Sequence, residues 1–329
     1  MEKKLLIIDA DSIIYYIAYN FRNKKVKKMV ELNVNKFISD LLTNSGATDY
    51  IGFYASKEED VKPNFRYDIY EGYKSNRPPT PDFVLKWRST IHEVFKNKWS
   101  FIPVEGMEAD DAVGICYTHF KDKYDEVIIA TADKDLRQFS CTFYDFKKHE
   151  MTAIDEFTAE YNRYYQLLMG DAGDHIPGIP GVGKAGAKKI LKNCKTVGQL
   201  KIATIRAYCS FENTLKTKIT KEVIKTYKES MSDDDAFNAL SEAKQDRKIR
   251  LQTKDEINEK IRQVLPLPWK DYLRQQNQLI SMLTEAPDWF EIPDPVASPF
   301  GDIESAKGTT LTKEERKEAI TRADDFLII

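Results

Sequence analysis

Two short, wholly apolar runs, Leu5-Leu6-Ile7-Ile8 and Val127-Ile128-Ile129-Ala130, both stop at acids. Asp9 and Asp11 follow the first run, and Asp133 and Asp135 follow the second. An apolar run without polar alternation reads as a strand buried on both faces, the habit of parallel sheets. Parallel strands bring their C-terminal ends to one edge, so acids that follow them converge on one crevice. Carboxylates crowded there repel each other unless cations sit among them. Hard oxygen donors of this kind suit Mg²⁺, or Mn²⁺ in its place. Two more acidic clusters, Glu108-Ala109-Asp110-Asp111 and Asp171-Ala172-Gly173-Asp174, extend the pattern. The expectation is a metal-dependent enzyme acting on an anionic substrate.

The first half of the chain alternates strand-like and helix-like segments. Strands are expected at 5–8, 50–54, 101–104, 127–130 and 142–146, and helices at 12–19, 34–43, 84–96 and 109–120. This order predicts an α/β fold with a doubly wound, mainly parallel sheet. Residues 56–81 break the alternation with charge, tyrosine and proline, including Lys74, Arg77, Pro78, Pro79 and Pro81. A long loop on the carboxylate side of a sheet is a place for function. Beyond Phe157 the pattern turns helical, and Pro287, Pro293, Pro295 and Pro299 mark the end of the folded body. The expected domains are therefore an α/β domain at 1–157, a helical region at 158–290 and a polar, proline-rich tail at 291–329.

The chain of 329 residues is 42% hydrophobic with a mean hydropathy of -0.52, which suits a water-soluble body with a real core. No apolar run is long enough to span a membrane. Asp9 cuts the N-terminal apolar run too short for a signal peptide. Cys116, Cys141, Cys194 and Cys209 form no close pair, which reads as reduced thiols in a cytoplasmic protein. The net charge of -2 hides an uneven distribution. Residues 184–228 hold 12 Lys/Arg against 2 Glu, and Arg22, Lys24, Lys25, Lys27 and Lys28 form another basic run. A basic surface beside an acidic metal site suits an enzyme that cuts phosphodiesters. Solvated helix faces are the other reading of such runs.

The stretch Gly170-Asp171-Ala172-Gly173-Asp174-His175-Ile176-Pro177-Gly178-Ile179-Pro180-Gly181-Val182-Gly183-Lys184 runs on as a helix to Leu191. Gly181 and Gly183 leave the backbone open to close approach. The amides of that turn and helix start can hold a phosphate, with Lys184, Lys188 and Lys189 adding charge. Such an element grips a duplex backbone without reading bases. A lone Gly-x-Gly is also an ordinary structural turn. Asp133 and Asp135 could reach metals or cap the next helix. Glu108 and Asp111 share a helix face, where acids also favour the helix dipole.

Five elements carry a family resemblance: Ile7-Ile8-Asp9-Ala10-Asp11; Phe65-Arg66 through Tyr73-Lys74-Ser75-Asn76-Arg77-Pro78-Pro79; 108–111; 131–136; and 170–191. The sequence resembles the 5′ nuclease superfamily of flap endonucleases and 5′→3′ exonucleases, and in particular its free-standing bacteriophage type. The resemblance covers residues 5–195. It implies a PIN-like α/β fold with a helical arch at about 56–98 and a helix–three-turn–helix at about 166–195.

It also implies residue roles. Asp9, Glu108, Asp110 and Asp111 would ligate one metal. Asp133 and Asp135 would continue toward a second, shared with Asp171 and Asp174. Lys74 and Arg77 would face the scissile phosphate at the base of the arch, and Tyr73 or Tyr70 would stack on a terminal base. Two Mg²⁺ ions, and K⁺ at the helix–three-turn–helix, are the implied cofactors. DNA with 5′ ends, flaps or junctions, or an RNA/DNA hybrid, is the implied partner of a cytoplasmic monomer.

One departure stands out. The family places an Asp at the end of the second strand, where this chain has Gly52-Phe53-Tyr54-Ala55-Ser56. A nucleic-acid-binding protein with impaired hydrolysis is therefore the alternative reading, and a PIN-type ribonuclease a third. The final residues, Ala323-Asp324-Asp325-Phe326-Leu327-Ile328-Ile329, either pack on their own domain or dock on a replication protein.

Overall fold

The computed structural model describes residues 2–23, 26–56, 62–232 and 234–300. Lys24 and Lys25 of the basic run and residues 323–329 of the C-terminal tail lie outside them. The chain divides into two compact units. The first holds Met1–Glu71, Arg77–Asn162 and the chain from Ser281 onward, and the second holds Gly72–Asn76 and Arg163–Ile280.

The first unit opens with β1 (Lys4–Asp9), α1 (Ala10–Asn20), α2 (Lys27–Ser45) and β2 (Asp49–Ala55). It continues with α3 (Arg66–Ile69), α4 (Asp82–Trp99), β3 (Ile102–Val104), α5 (Ala109–Phe120), β4 (Glu126–Thr131), β5 (Thr142–Asp145) and β6 (Glu150–Ala153). Among the described residues these strands form one sheet in the order β3-β2-β1-β4-β5-β6. The pairs β1–β2, β1–β4, β2–β3 and β4–β5 are parallel, and β6 is antiparallel to β5. The expected doubly wound sheet is therefore present. β1 and β4 sit side by side at its centre, which puts Asp9 and Thr131 at neighbouring strand ends.

Both faces are covered, as continuous apolar strands require. One face packs Leu6, Ile8, Tyr50 and Tyr54 against Ile13 and Ile17 of α1, Val34 and Ile38 of α2, and Trp87, Ile91 and Phe95 of α4. The other packs Leu5, Ile7, Ile51 and Phe53 against Ala112, Val113, Cys116 and Phe120 of α5. α5 starts in a capping box, in which the Glu108 side chain accepts from the Asp111 amide and Asp111 accepts from the Glu108 amide. α2 ends at Gly46 and α4 at Ser100, both left-handed, the usual stop for a helix.

Three expectations shift. Residues 281–300 are part of the first unit rather than the end of a helical region and a tail. Met282, Leu283, Phe290 and Ile292 pack on the α5 face, Phe300 is buried on the other, and β7 (Val296–Ala297) pairs with β2. Scattered prolines hid this, because they interrupt any helical or alternating period. In the arch expected at 56–98, the described residues form one short helix, α3, and a turn-rich path. α4 belongs to the packed core, with Val84, Trp87, Ile91 and Phe95 buried.

The second unit is helical: the end of α6 (Glu156–Met169), α7 (Lys184–Leu191), α8 (Val197–Ser230), α9 (Asp235–Asn238), α10 (Glu242–Gln252), α11 (Lys254–Val264) and α12 (Trp269–Ile280). α8 is the spine, with α7, α10, α11 and α12 packed along it. Tyr208 of α8 donates to the Leu167 carbonyl at 2.6 Å. Tyr272 and Gln276 of α12 hold the two polar groups of the Gly178 peptide backbone, at 2.8 and 3.0 Å.

Candidate metal centre and nucleic-acid interface

β1 runs into α1 without a loop, so Asp9 is at once the last strand residue and the N-cap of the helix. Its Oδ2 accepts from Ser12 Oγ and from Thr131 Oγ1, each at 2.6 Å. Thr131 Oγ1 also accepts from the Asp133 amide at 2.8 Å, and Asp133 Oδ1 accepts from the Asp135 amide at 2.8 Å. One hydrogen-bonded chain thus ties the β1 acid to the turn after β4. Asp11, one residue into α1, reaches the other way, and its Oδ1 accepts from the Ala55 amide at the end of β2 at 3.0 Å.

Asp9 is only 4% exposed. Burial first, then the charge of Asp11, push its carboxyl up to about 6, and the charge of Asp133 adds to this against the hydrogen bonds from Ser12 and Thr131. A buried carboxyl crowded by two others fits a divalent cation, which would relieve both burial and repulsion. The donors are oxygens only, which favours a hard ion. Among the described residues no three Asp, Glu, His or Cys side chains stand together so that they could hold a metal ion. Asp110, in the first turn of α5, is half-buried with Oδ1 shielded from solvent, and Glu108 and Asp135 are also half-buried.

Asp111 does not belong with them, contrary to the sequence reading. It is 0% exposed and pairs with Arg66, itself 1% exposed. Oδ1 accepts from Arg66 Nη2 at 2.8 Å and from the Leu283 amide at 3.0 Å. Oδ2 accepts from Arg66 Nη1 and from the Glu108 amide at 3.1 Å. A carboxylate offers about four acceptor positions, and these four donors fill them. Asp111 is thus a structural anchor for α3, the start of α5 and the returning C-terminal segment. Arg66 is the residue the sequence analysis quoted without assigning a role.

In the second unit the acidic loop is a closed hairpin. Asp171 and Ile176 exchange backbone hydrogen bonds at 2.8 and 2.7 Å. Gly170 and Gly178, both at positive φ, let the two arms touch, because a Cβ on either would strike the backbone of the opposite arm. Asp171 Oδ1 accepts from the Gly173 amide at 2.7 Å, and Gln166 donates to its Oδ2 at 3.2 Å.

The Gly72–Asn76 segment lies on this hairpin as a strap. The Lys74 amide donates to the Asp174 carbonyl at 2.9 Å, and Asn76 Nδ2 donates to the Ala172 carbonyl at 2.8 Å. His175 Nδ1 meets Ser75 Oγ at 2.6 Å and the Gly72 carbonyl at 3.0 Å. Lys74 and His175 both take positive φ, an unusual conformation that these contacts hold. Lys74 Nζ sits 3.8 Å from Asp174 Oδ2, and Tyr73 donates to the same oxygen at 3.3 Å. Tyr73 is 2% exposed, so its ring faces are covered and it is not the stacking residue the sequence suggested. Tyr70 is half-buried, and Arg77 is exposed. His175 is a tie of the strap.

Past the hairpin, Gly181 takes φ +83 and Gly183 caps α7. A Cβ on either would meet nothing within 4 Å, so this backbone faces open space. Lys184, Lys188 and Lys189 are exposed beside it. Farther along, Lys216, Lys225 and Lys228 pair with Glu212, Glu229 and Asp246. That part of the basic run is a solvated, ion-paired helix face, as the plainer reading held.

Residues 4–163 match the family described as the 5′-3′ exonuclease, N-terminal resolvase-like domain. The match takes in just under half of the chain, and that part is similar to this family. DNA polymerase I of Caldicellulosiruptor bescii is 26% identical over 216 residues, 60% of this chain and 25% of that protein. The chain therefore spans about a quarter of the length of the polymerases it matches. The 5′-3′ exonuclease of Mycoplasmopsis pulmonis is 25% identical over 245 residues, 69% of this chain and 77% of that one. A solved structure of the T5 5′-exonuclease with bound zinc overlaps 86% of this chain and 100% of its own, with 16% identity and a TM-score of 0.49. Among the described residues no helix is long and apolar enough to cross a membrane.

Proposed function

We propose that this chain is a member of the 5′ nuclease superfamily and a structure-specific 5′ nuclease. It would act as a 5′→3′ exonuclease and flap endonuclease on DNA, or on RNA/DNA hybrids, in replication, primer removal or repair. The observation that carries this reading is Asp9, buried at the C-terminal edge of a parallel sheet and crowded by Asp11 and Asp133. Asp9, Asp110, Asp133 and Asp135, with Glu108, are the residues that would hold a divalent cation in the first unit. Asp171 and Asp174 are proposed as metal ligands of the second unit. Mg²⁺ is the proposed ion, with Mn²⁺ able to replace it. Bound there, such ions acidify water and screen the oxygens of an in-line displacement.

The chain's own groups do the rest. Ser12 and Thr131 hold the Asp9 carboxylate in one orientation. The strap fixes the Lys74 backbone, and its ammonium, which pairs with Asp174, would turn to neutralise charge on a phosphate. Arg77 adds a second cation. The open backbone at Gly181 and Gly183, with Lys184, Lys188 and Lys189, would hold the downstream duplex by its phosphates.

Asp133→Ala tests the assignment. Cleavage should disappear while duplex binding stays largely intact, and unchanged turnover would sink it. Tyr54 and Ala55 favour a second reading, a binding protein with weak hydrolysis, because β2 ends without an acid. A large gain in cleavage by Ala55→Asp in Mg²⁺ would support that reading.

A further inference from the structure

The segment that returns to the sheet turns at 287–290, where the Phe290 amide donates to the Pro287 carbonyl at 2.9 Å. Phe290 packs against the α5-side core, its ring 6.2 Å from that of Phe53. Its neighbour Trp289 faces out and is 49% exposed, whereas Trp87 and Trp99 are 4% and 2% exposed. Phe290 therefore anchors the turn, and the Trp289 indole is not needed for that. Tryptophan is well buried on average and is enriched at interfaces, so an indole presented outward points to a partner.

The Lys62 ammonium sits 3.1 Å from the centre of the Trp289 ring, a cation–π contact. Both side chains stand over Gly106, whose φ is +74. A Cβ there would lie 2.9 Å from Lys62 Cδ and 3.1 Å from Trp289 Nε1, so the missing side chain makes room for the pair. The Gly106 amide donates to the Lys62 carbonyl and the Phe65 amide to the Gly106 carbonyl, each at 2.9 Å. Gly106 lies between Val104, the end of β3, and Glu108, the N-cap of α5. β3 is two strands from β1, a spacing of roughly 10 Å, so this corner shares the strand-end edge that carries Asp9.

We infer that Trp289 and Lys62 form a platform for an unpaired nucleobase of the substrate strand, the indole stacking on the base and the ammonium pairing with an adjacent phosphate. The inference rests on the nuclease reading proposed above. An exposed aromatic face takes any base without reading sequence, and a cation beside it takes the phosphate that every nucleotide carries. An apolar peptide would use the indole but meet the ammonium as a cost, so the pair favours a nucleotide.

The test is binding of two labelled 5′-flap duplexes to the full chain in EDTA, read by fluorescence anisotropy. One flap is normal, and the other carries abasic residues throughout its single strand. Wild type, Trp289→Ala, Trp289→Leu and Trp289→Phe are compared. Thermal melts establish which variants are folded, and the bulky leucine, which has no π-face, stands in if the alanine variant does not fold. Loss of one stacked base weakens binding by about 5- to 150-fold, so Trp289→Ala or Trp289→Leu should lose that on the normal flap and Trp289→Phe much less. On the abasic flap all four proteins should bind alike. A folded Trp289→Ala or Trp289→Leu that binds the normal flap as wild type does would overturn the inference. So would an equal loss on both flaps, which would make the indole a support of the fold. If the inference fails in either way while wild type still cleaves the normal flap in Mg²⁺, the nuclease reading stands. A wild type that neither binds nor cleaves either flap loses both.

Discussion

Arg66→Met tests the claim that Asp111 is an anchor and not a metal ligand. The substitution keeps much of the apolar stem and removes the guanidinium. Asp111 would keep its bonds from the Glu108 and Leu283 amides and lose both from Arg66, at a position with 0% exposure. Breaking a buried ion pair from one side typically costs ~3–5 kcal/mol, because the remaining charge cannot return to water. Each kcal/mol lowers Tm by about 2–4 °C in a domain of this size, so the melt should fall by about 6–20 °C.

Urea unfolding in EDTA, followed by tryptophan fluorescence, gives the free energy with no ion present. The double variant Arg66→Met/Asp111→Leu removes the stranded charge as well. The sum of the two single losses should exceed the double loss by ~1–3 kcal/mol, the usual range for directly coupled residues. An Arg66→Met protein within ~1 kcal/mol of wild type, or strictly additive losses, would refute the reasoning and return Asp111 to the metal ligands.

The buried Asp9 makes a pH prediction for the metal-free protein. Its carboxyl is raised from 3.8 to about 6, so the folded state holds the extra proton between those values. The associated stability is fully present below pH 3.8 and is lost as pH rises through about 6. The gap corresponds to ~3 kcal/mol. Urea unfolding at pH 4 and pH 7 in EDTA should therefore show wild type losing about that much relative to Asp9→Asn, and parallel pH curves would contradict it. Removing one tie of the strap by Asn76→Ala or His175→Ala should speed hydrogen exchange at the Lys74 amide by ~2–10-fold, the worth of one hydrogen bond. Unchanged exchange in both would show that the strap is held elsewhere. Replacing Lys184, Lys188 and Lys189 together by Ala should flatten the salt dependence of duplex binding by about 0.9 in log–log slope for each phosphate no longer neutralised. An unchanged slope would place the duplex on another surface.

The sheet was legible because burial on both faces erases polar alternation in 5–8 and 127–130. β6 was missed because all of its residues are exposed, leaving no apolar signal. The 281–300 segment was missed because its packing comes from irregular backbone. The acids after β1 and β4 were legible from position alone. Asp111 was misread because sequence spacing cannot show a partner 45 residues away, and only the Arg66 pairing separates an anchor from a ligand. Tyr73 was misread for the same reason, since its hydroxyl bonds to Asp174, 101 residues later. The gap at Tyr54 and Ala55 was legible, but the reach of Asp11 across to β2 needed coordinates.

The central claim is that these acids serve cation-dependent cleavage at a 5′ end or junction. The most direct test is a duplex with a labelled 5′ single-stranded flap, incubated with the wild-type chain in Mg²⁺ and in EDTA, with product lengths resolved. Cleavage near the junction or stepwise from the 5′ end, present in Mg²⁺ and absent in EDTA, is the predicted result. An intact flap in Mg²⁺ under conditions where the duplex is bound, or equal cleavage in EDTA, would contradict it.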